Sequence, residues 1–230
     1  MTARDPYAVI ARALRSREAG ERRERMRSYA ALGDSFTAGT GCAPGRCWAD
    51  RLAARLARRD AEFVYRNLAW EGAMSADVVE QLGPALQLEP DLVTVVFGAN
   101  DVLRSVRPDV PRYARRLSGV FRRLGEAVPG ARVVTATSPE AWHFLDLRPR
   151  TRARVERGIV ALNRATREVA ALHGVPLLDV ARHPGLADAA NFSSDGLHPS
   201  PLGHAHAAAG FERLLGIEPG ARTAEREDHR

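Results

Sequence analysis

A chain of 230 residues, 45% hydrophobic and 27% charged, is long enough for one sizeable core and short for two full domains. Its formal net charge is +6, and all 34 basic residues are arginine. Without lysine there is neither a P-loop lysine nor a lysine Schiff base, and no apolar run approaches the length of a membrane span.

The first 27 residues, "MTARDPYAVIARALRSREAGERRERMR", predict a helical extension with its helix over about 6–26. They are charged throughout and lack the apolar centre of a signal peptide, so an intracellular, cytoplasmic protein is expected. "SYAALG" at 28–33 reads as a buried strand and "RCWADRLAARLARRD" at 46–60 as an amphipathic helix. A second strand is expected over 62–69 and a second helix over 75–87. "DLVTVVFGAND" gives a β-branched third strand ending at Gly98, followed by a helix over about 109–127. "ARVVTATS" gives a fourth strand, with a long helix near 150–173. "VPLLDVA" gives a fifth strand, a loop covers about 182–200, and "PLGHAHAAAGFERLLG" forms the last helix. A polar tail is expected over 219–230, leaving 28–218 as the main domain.

Apolar strands separated by helices predict an α/β fold, a parallel sheet covered on both faces. The arginines are interleaved with Glu and Asp, as in "TRARVERG", which marks solvated helix faces rather than a specific nucleic-acid surface. Cys42 and Cys47, flanking "APGR", are expected as free thiols and make a poor zinc site.

In a doubly wound sheet, functional groups gather at the carboxyl ends of the strands. There the sequence places Ser35 in "GDS", Gly72 in "NLAWEGAMS", Asn100 in "FGAND", and Asp195 three residues before His198 in "SSDGLHPS". This is the inventory of acyl transfer. A serine hydroxyl needs an imidazole to take its proton, and a carboxylate must hold that imidazole in the useful tautomer. The Ser35 N–H, the Gly72 N–H and the Asn100 amide are candidate donors to an oxyanion.

Competing readings fare less well. Gly39, Gly41 and Gly45 approximate a dinucleotide-binding turn, but the third glycine comes one position late and Pro44 interrupts the helix start. The second strand also ends in "NLA", without the acid that binds ribose. His198, His204 and His206 suggest a metal, yet positions 204 and 206 point to different sides of a helix, so no metal or other cofactor is expected. "SPEAWHFLDLRPR", with Trp142, His143 and Phe144, either walls an acyl pocket or simply packs on the helices.

Together "GDSF", "NLAWEG", "GAND" and "DGLH" resemble the four blocks of the SGNH, or GDSL-type, hydrolases over roughly residues 28–216. "ALGDSFTAGTG", "WADRLA" and "GLHPSPLGH" look most like the cytosolic actinobacterial members. The resemblance implies a three-layer α/β/α, flavodoxin-like sheet of five strands in the order 2-1-3-4-5, and hydrolysis of a small-molecule ester without a metal. It implies Ser35 as nucleophile, Asp195 and His198 as its triad partners, and Ser35, Gly72 and Asn100 as the oxyanion hole. Phe36 replaces the family's usual leucine, Ala38 stands where a glutamate is expected, and "CAPGRC" is unusual. The same residues would serve an acyltransferase if an alcohol replaced water, and a noncatalytic Arg-rich binding protein is the alternative of a different class.

Overall fold

A computed structural model of the chain describes residues 26–217. The expected helix over 6–26 (residue 26 aside), most of the 1–27 extension and the 219–230 tail lie outside the described residues.

The sheet is five-stranded and all parallel, in the order β2-β1-β3-β4-β5, as expected. Its strands are β1 (Ser28–Gly33), β2 (Val64–Asn67), β3 (Leu92–Val96), β4 (Arg132–Ala136) and β5 (Leu177–Leu178). The helices are α1 (Ser35–Ala38), α2 (Trp48–Ala57), α3 (Ser75–Gln87), α4 (Ala99–Leu103), α5 (Val110–Ala127), α6 (Pro149–Leu172) and α7 (Pro201–Leu215). Short 3-10 turns occupy Trp142–Phe144, Val180–Arg182, Pro184–Ala187 and Ala189–Asn191.

Side chains alternate across β1, because successive residues of a strand point to opposite faces. Ala30 and Leu32 join one apolar layer with α3, α5 and α6, including Val78, Leu117 and Ile159. Tyr29 and Ala31 join the other, with Trp48 and Leu52 of α2 and Phe211 of α7. The sheet is thus covered on both faces, and β1, between β2 and β3, is fully buried from Tyr29 to Leu32.

Helix starts follow local chemistry. Asp109 caps α5 by accepting from the Arg112 N–H at 2.9 Å, and Ser200 caps α7 by accepting from the Gly203 N–H at 3.1 Å. Cys47 Sγ accepts from the Asp50 N–H at 3.4 Å at the head of α2. Both cysteines are free thiols, Cys47 buried and Cys42 partly exposed.

Most departures from expectation are of extent. β2 and β3 are shorter than their apolar runs, and β5 pairs over two residues only. The chain leaves β5 at Asp179, whose carboxylate is drawn to Arg167 at 2.7 and 3.1 Å and to the Thr137 hydroxyl at 2.9 Å.

Candidate active site

Strand order brings the site together. β1 lies between β2 and β3, so the loops leaving those three strands share one edge. β1 ends at Gly33, where the Gln81 side chain of α3 clamps the backbone, accepting from the Gly33 N–H and donating to its C=O, both at 2.8 Å. One residue further, Asp34 caps the single-turn helix α1, accepting from the Phe36 N–H at 3.1 Å. Gly39 closes the turn in the left-handed region, donating its N–H to the Ser35 C=O at 3.0 Å. Ser35 is therefore the first helical residue of α1, held at both ends of one turn.

The Ser35 Oγ lies 2.9 Å from His198 Nε2, and His198 Nδ1 lies 2.6 Å from Asp195 Oδ2. Ser35 and His198 are almost entirely buried, whereas the Asp195 side chain is 48% exposed. The other Asp195 oxygen accepts from the Ser193 hydroxyl at 2.6 Å, the Leu197 N–H at 2.8 Å and the His198 N–H at 2.9 Å. Partial burial works against ionisation of this carboxyl, but the bonds from His198, Ser193 and the two amides outweigh it and hold Asp195 well below the usual carboxylate range. An acceptor-only carboxylate facing Nδ1 assigns the proton to that nitrogen, leaving Nε2 as the acceptor for the Ser35 hydroxyl.

The segment bearing these two residues is folded on itself. The Ser193 N–H donates to the His198 C=O at 2.8 Å, and an isolated antiparallel bridge joins Phe192 to Pro199. Ser200 then ties the segment to α7 and to the 3-10 turn before it, donating its hydroxyl to the Ala190 C=O at 2.5 Å.

On the other side of Ser35, α4 fastens the loop after β2. Asn100 Nδ2 donates to the Ala73 C=O at 3.0 Å, and Arg104 Nη1 donates to the Gly72 C=O at 2.9 Å. Asp101 accepts from the Ser75 N–H at 2.8 Å and the Ser75 hydroxyl at 2.5 Å. An amide nitrogen carries two hydrogens, so Asn100 keeps a second donor. Gly72, at φ +76°, has a conformation that L side chains rarely adopt. Gly98, at φ +126°, starts α4 where a Cβ would fall 2.6 Å from the Tyr113 ring.

Asp34, Asp101 and Arg104 were not singled out from the sequence. Asp34 and Asp101 sit inside the "GDS" and "GAND" strings, where their role beside the marked residues was the missed signal. Asp34 accepts from the Gly98 N–H at 3.3 Å as well as from Phe36, linking the turn that carries Ser35 to the turn that carries Asn100. Burial pushes its carboxyl up to about 7, against the lowering effect of the two N–H donors.

The remaining candidates separate from the site. His204 is fully buried, its Nδ1 accepting from the Trp48 N–H at 3.2 Å, while His206 Nδ1 pairs with Asn191 Oδ1 at 2.8 Å. Among the described residues, no group of three or more His, Cys, Asp or Glu is placed to hold a metal. Trp142 packs into the α3/α5/α6 core and Phe144 lies against Phe192 at 5.0 Å, so these two rings are packing elements. Phe36 stacks obliquely 5.6 Å from the His198 ring.

Residues 31–206 match the model of the GDSL-like lipase/acylhydrolase family. A lipase/acylhydrolase from Enterococcus faecalis is 27% identical with a TM-score of 0.66, the match covering 83% of this chain and 96% of that one. Axe2, an acetylxylan esterase from Geobacillus stearothermophilus, is 18% identical with a TM-score of 0.65, over 84% of this chain and 95% of that one. The esterase EstA from Pseudoalteromonas sp., in a structure inhibited by monoethylphosphonate, is 18% identical with a TM-score of 0.63, over 83% and 97%. At 18% identity the last two speak to the fold alone. No protein of curated description matches the chain.

Proposed function

Because the chain belongs to the GDSL-like lipase/acylhydrolase family, whose model spans 31–206, we propose that it hydrolyses a small-molecule carboxylic ester through an acyl-enzyme on Ser35. The observation that carries this reading is the continuous chain from Asp195 Oδ2 to His198 Nδ1 at 2.6 Å and from His198 Nε2 to Ser35 Oγ at 2.9 Å.

In this reading His198 Nε2 takes the hydroxyl proton as Ser35 Oγ attacks the ester carbonyl, and Asp195 stabilises the imidazolium that results. The oxyanion is received by the Ser35 N–H, the Gly72 N–H and the free hydrogen of the Asn100 amide. The last two come from the loops beside β1 that α4 holds together. His198 then protonates the departing alcohol. Water enters, gives its proton to His198 and attacks the acyl-enzyme; the tetrahedral intermediate collapses as His198 returns that proton to the departing Ser35 Oγ, and the acid is released. No step needs a metal or cofactor.

The unit performing this chemistry is read as residues 28–218. Among the described residues no helix is long and apolar enough to cross a membrane. A cytoplasmic setting remains the reading of the charged N-terminal sequence.

The test is Ser35→Ala with an aryl acetate as substrate and a competing alcohol present. Removing the nucleophile is expected to cost about a million-fold in kcat, with the circular dichroism spectrum retained. Turnover surviving in a folded Ser35→Ala protein would overturn the assignment. Acyl transfer to the alcohol in preference to water would replace hydrolysis by acyl transfer on the same residues.

A further inference from the structure

A cavity lies behind the loop that carries His198, and neither Ser35 nor His198 forms part of its wall. Val96, Ala136 and Leu178, the last residues of β3, β4 and β5, make one side. Trp48 of α2 and Ala207 and Phe211 of α7 make the other, and Leu186 and Phe192 close it from the segment of 3-10 turns. About 130 Å³ of it is open to the centre of a water molecule, close to the roughly 150 Å³ at which an apolar protein cavity stays dry and takes benzene.

Polar groups at its edge are engaged with protein partners. Asp179 accepts from Arg167 and from the Thr137 hydroxyl, and Asp34 accepts from two backbone N–H groups. Asn191 pairs with His206 and donates to the Gly185 C=O at 2.9 Å. A guest that needs hydrogen bonds would give up water there with little in return. A neutral hydrocarbon or aromatic guest gains from the same transfer.

The cavity meets the reacting pair only through chain neighbours. Asp34 and Phe36 flank Ser35, and Pro199 follows His198. Phe192 and Pro199, whose antiparallel bridge closes the loop of residues 193–198, are both wall residues. Swinging that loop away would carry off part of the wall and expose a guest to water. We infer that this cavity is an effector site for a small, neutral, apolar molecule, which binds the closed arrangement of residues 193–198 and thereby holds His198 against Ser35. A ligand shifts such an equilibrium only by its differential affinity, and the contact with a paired Phe192 and Pro199 exists in the closed arrangement alone. The consequence for turnover rests on Ser35 being the nucleophile; the binding and the closure do not.

Toluene is a suitable probe, because it carries no group that the site could hydrolyse or acylate. At ten times its dissociation constant it is expected to raise the thermal midpoint of both wild type and Ser35→Ala by about 4 °C. The Ser193 and Ser200 amides, hydrogen-bonded across the base of the loop at 2.8 and 2.9 Å, should exchange about tenfold more slowly. With an aryl acetate the wild type should resist inactivation by heat to a higher temperature, its KM for the ester unchanged. Ala207→Phe and Leu186→Trp place a ring in the space from opposite walls, and each folded variant should lose the toluene shift. Absence of a shift in wild type, or a shift that both folded variants retain, would overturn the site. Amide exchange that toluene leaves as it was would overturn the effector role, and a raised KM at constant kcat would move the probe to the ester site. Failure of the hydrolytic reading looks different: the ester assay would be silent while the midpoint and exchange effects, and their loss in the filled variants, remained.

Discussion

Replacing Asp195 by asparagine isolates what the carboxylate does, because the surrounding donors dictate how an amide would sit there. Asp195 Oδ1 accepts from the Ser193 hydroxyl, the Leu197 N–H and the His198 N–H at 2.6 to 2.9 Å. An asparagine side chain satisfies those donors only with its oxygen at that position, which turns its NH2 toward His198 Nδ1. Two donors cannot face each other, so Nδ1 becomes the acceptor and the ring proton moves to Nε2. The Nε2–H then points at Ser35 Oγ, 2.9 Å away, where an acceptor is needed. The nucleophile loses its base while every heavy atom keeps its place. In the serine-protease triad the same tautomer inversion costs about 10⁴-fold in kcat, equivalent to roughly 5 kcal/mol of transition-state stabilisation. We expect a loss of that order in kcat for an aryl ester, with little change in thermal midpoint. An Asp195→Asn protein keeping more than about a tenth of wild-type kcat would refute the tautomer argument.

Two further predictions concern pH and the loop after β2. Burial raises the Asp34 carboxyl from 3.8 to about 7, so between those values the folded protein holds a proton that the unfolded chain has released, and stability falls as pH rises. Burial, with help from the Arg51 charge, lowers the His204 imidazole from 6.5 to about 4, so there the unfolded chain holds the extra proton and stability rises with pH. The effects, about 4 and about 3 kcal/mol in full, oppose each other over pH 4–6.5. Urea midpoints for Asp34→Asn should therefore climb with pH relative to wild type, and those for His204→Gln should fall. Profiles parallel to wild type would contradict both. Arg104→Met removes the bond that fixes the Gly72 peptide at 2.9 Å. It should lower kcat on the order of tenfold, short of the 100- to 1,000-fold typical of losing an oxyanion donor outright, with KM little altered and partial recovery in Arg104→Lys. A change in KM alone would assign Arg104 to substrate binding instead.

The sequence was most legible where a long run of residues shares one environment. β1 and α3 occupy the spans that the pattern of apolar residues predicts, 28–33 and 75–87. α1 and α4 escaped notice because four- and five-residue helices are shorter than the repeat that would reveal them. β5 is shorter than its apolar run because paired hydrogen bonds end where Asp179 meets Arg167, a contact 12 residues distant in the chain. At the site, the strings "GDS", "GAND" and "DGLH" pointed to residues that the fold brings to one edge. Asp34 and Arg104 act through backbone atoms of distant loops. Neither role leaves a mark on the spacing of residues, since both arise only when the strands are side by side.

Residues 193–198 carry the imidazole and its carboxylate within one self-bonded loop, while the serine belongs to the sheet edge. Any displacement of this loop therefore uncouples Ser35 in a single motion and leaves the His198–Asp195 pair intact. Inactivation by heat would then begin as a local event, well below the temperature at which the sheet melts, and would reverse on cooling while β1 and α1 remain in place. If the proposed triad is the catalytic one, the working ceiling of this hydrolase is expected to depend on how firmly Ser200 and the Phe192–Pro199 bridge moor these six residues more than on the depth of its core.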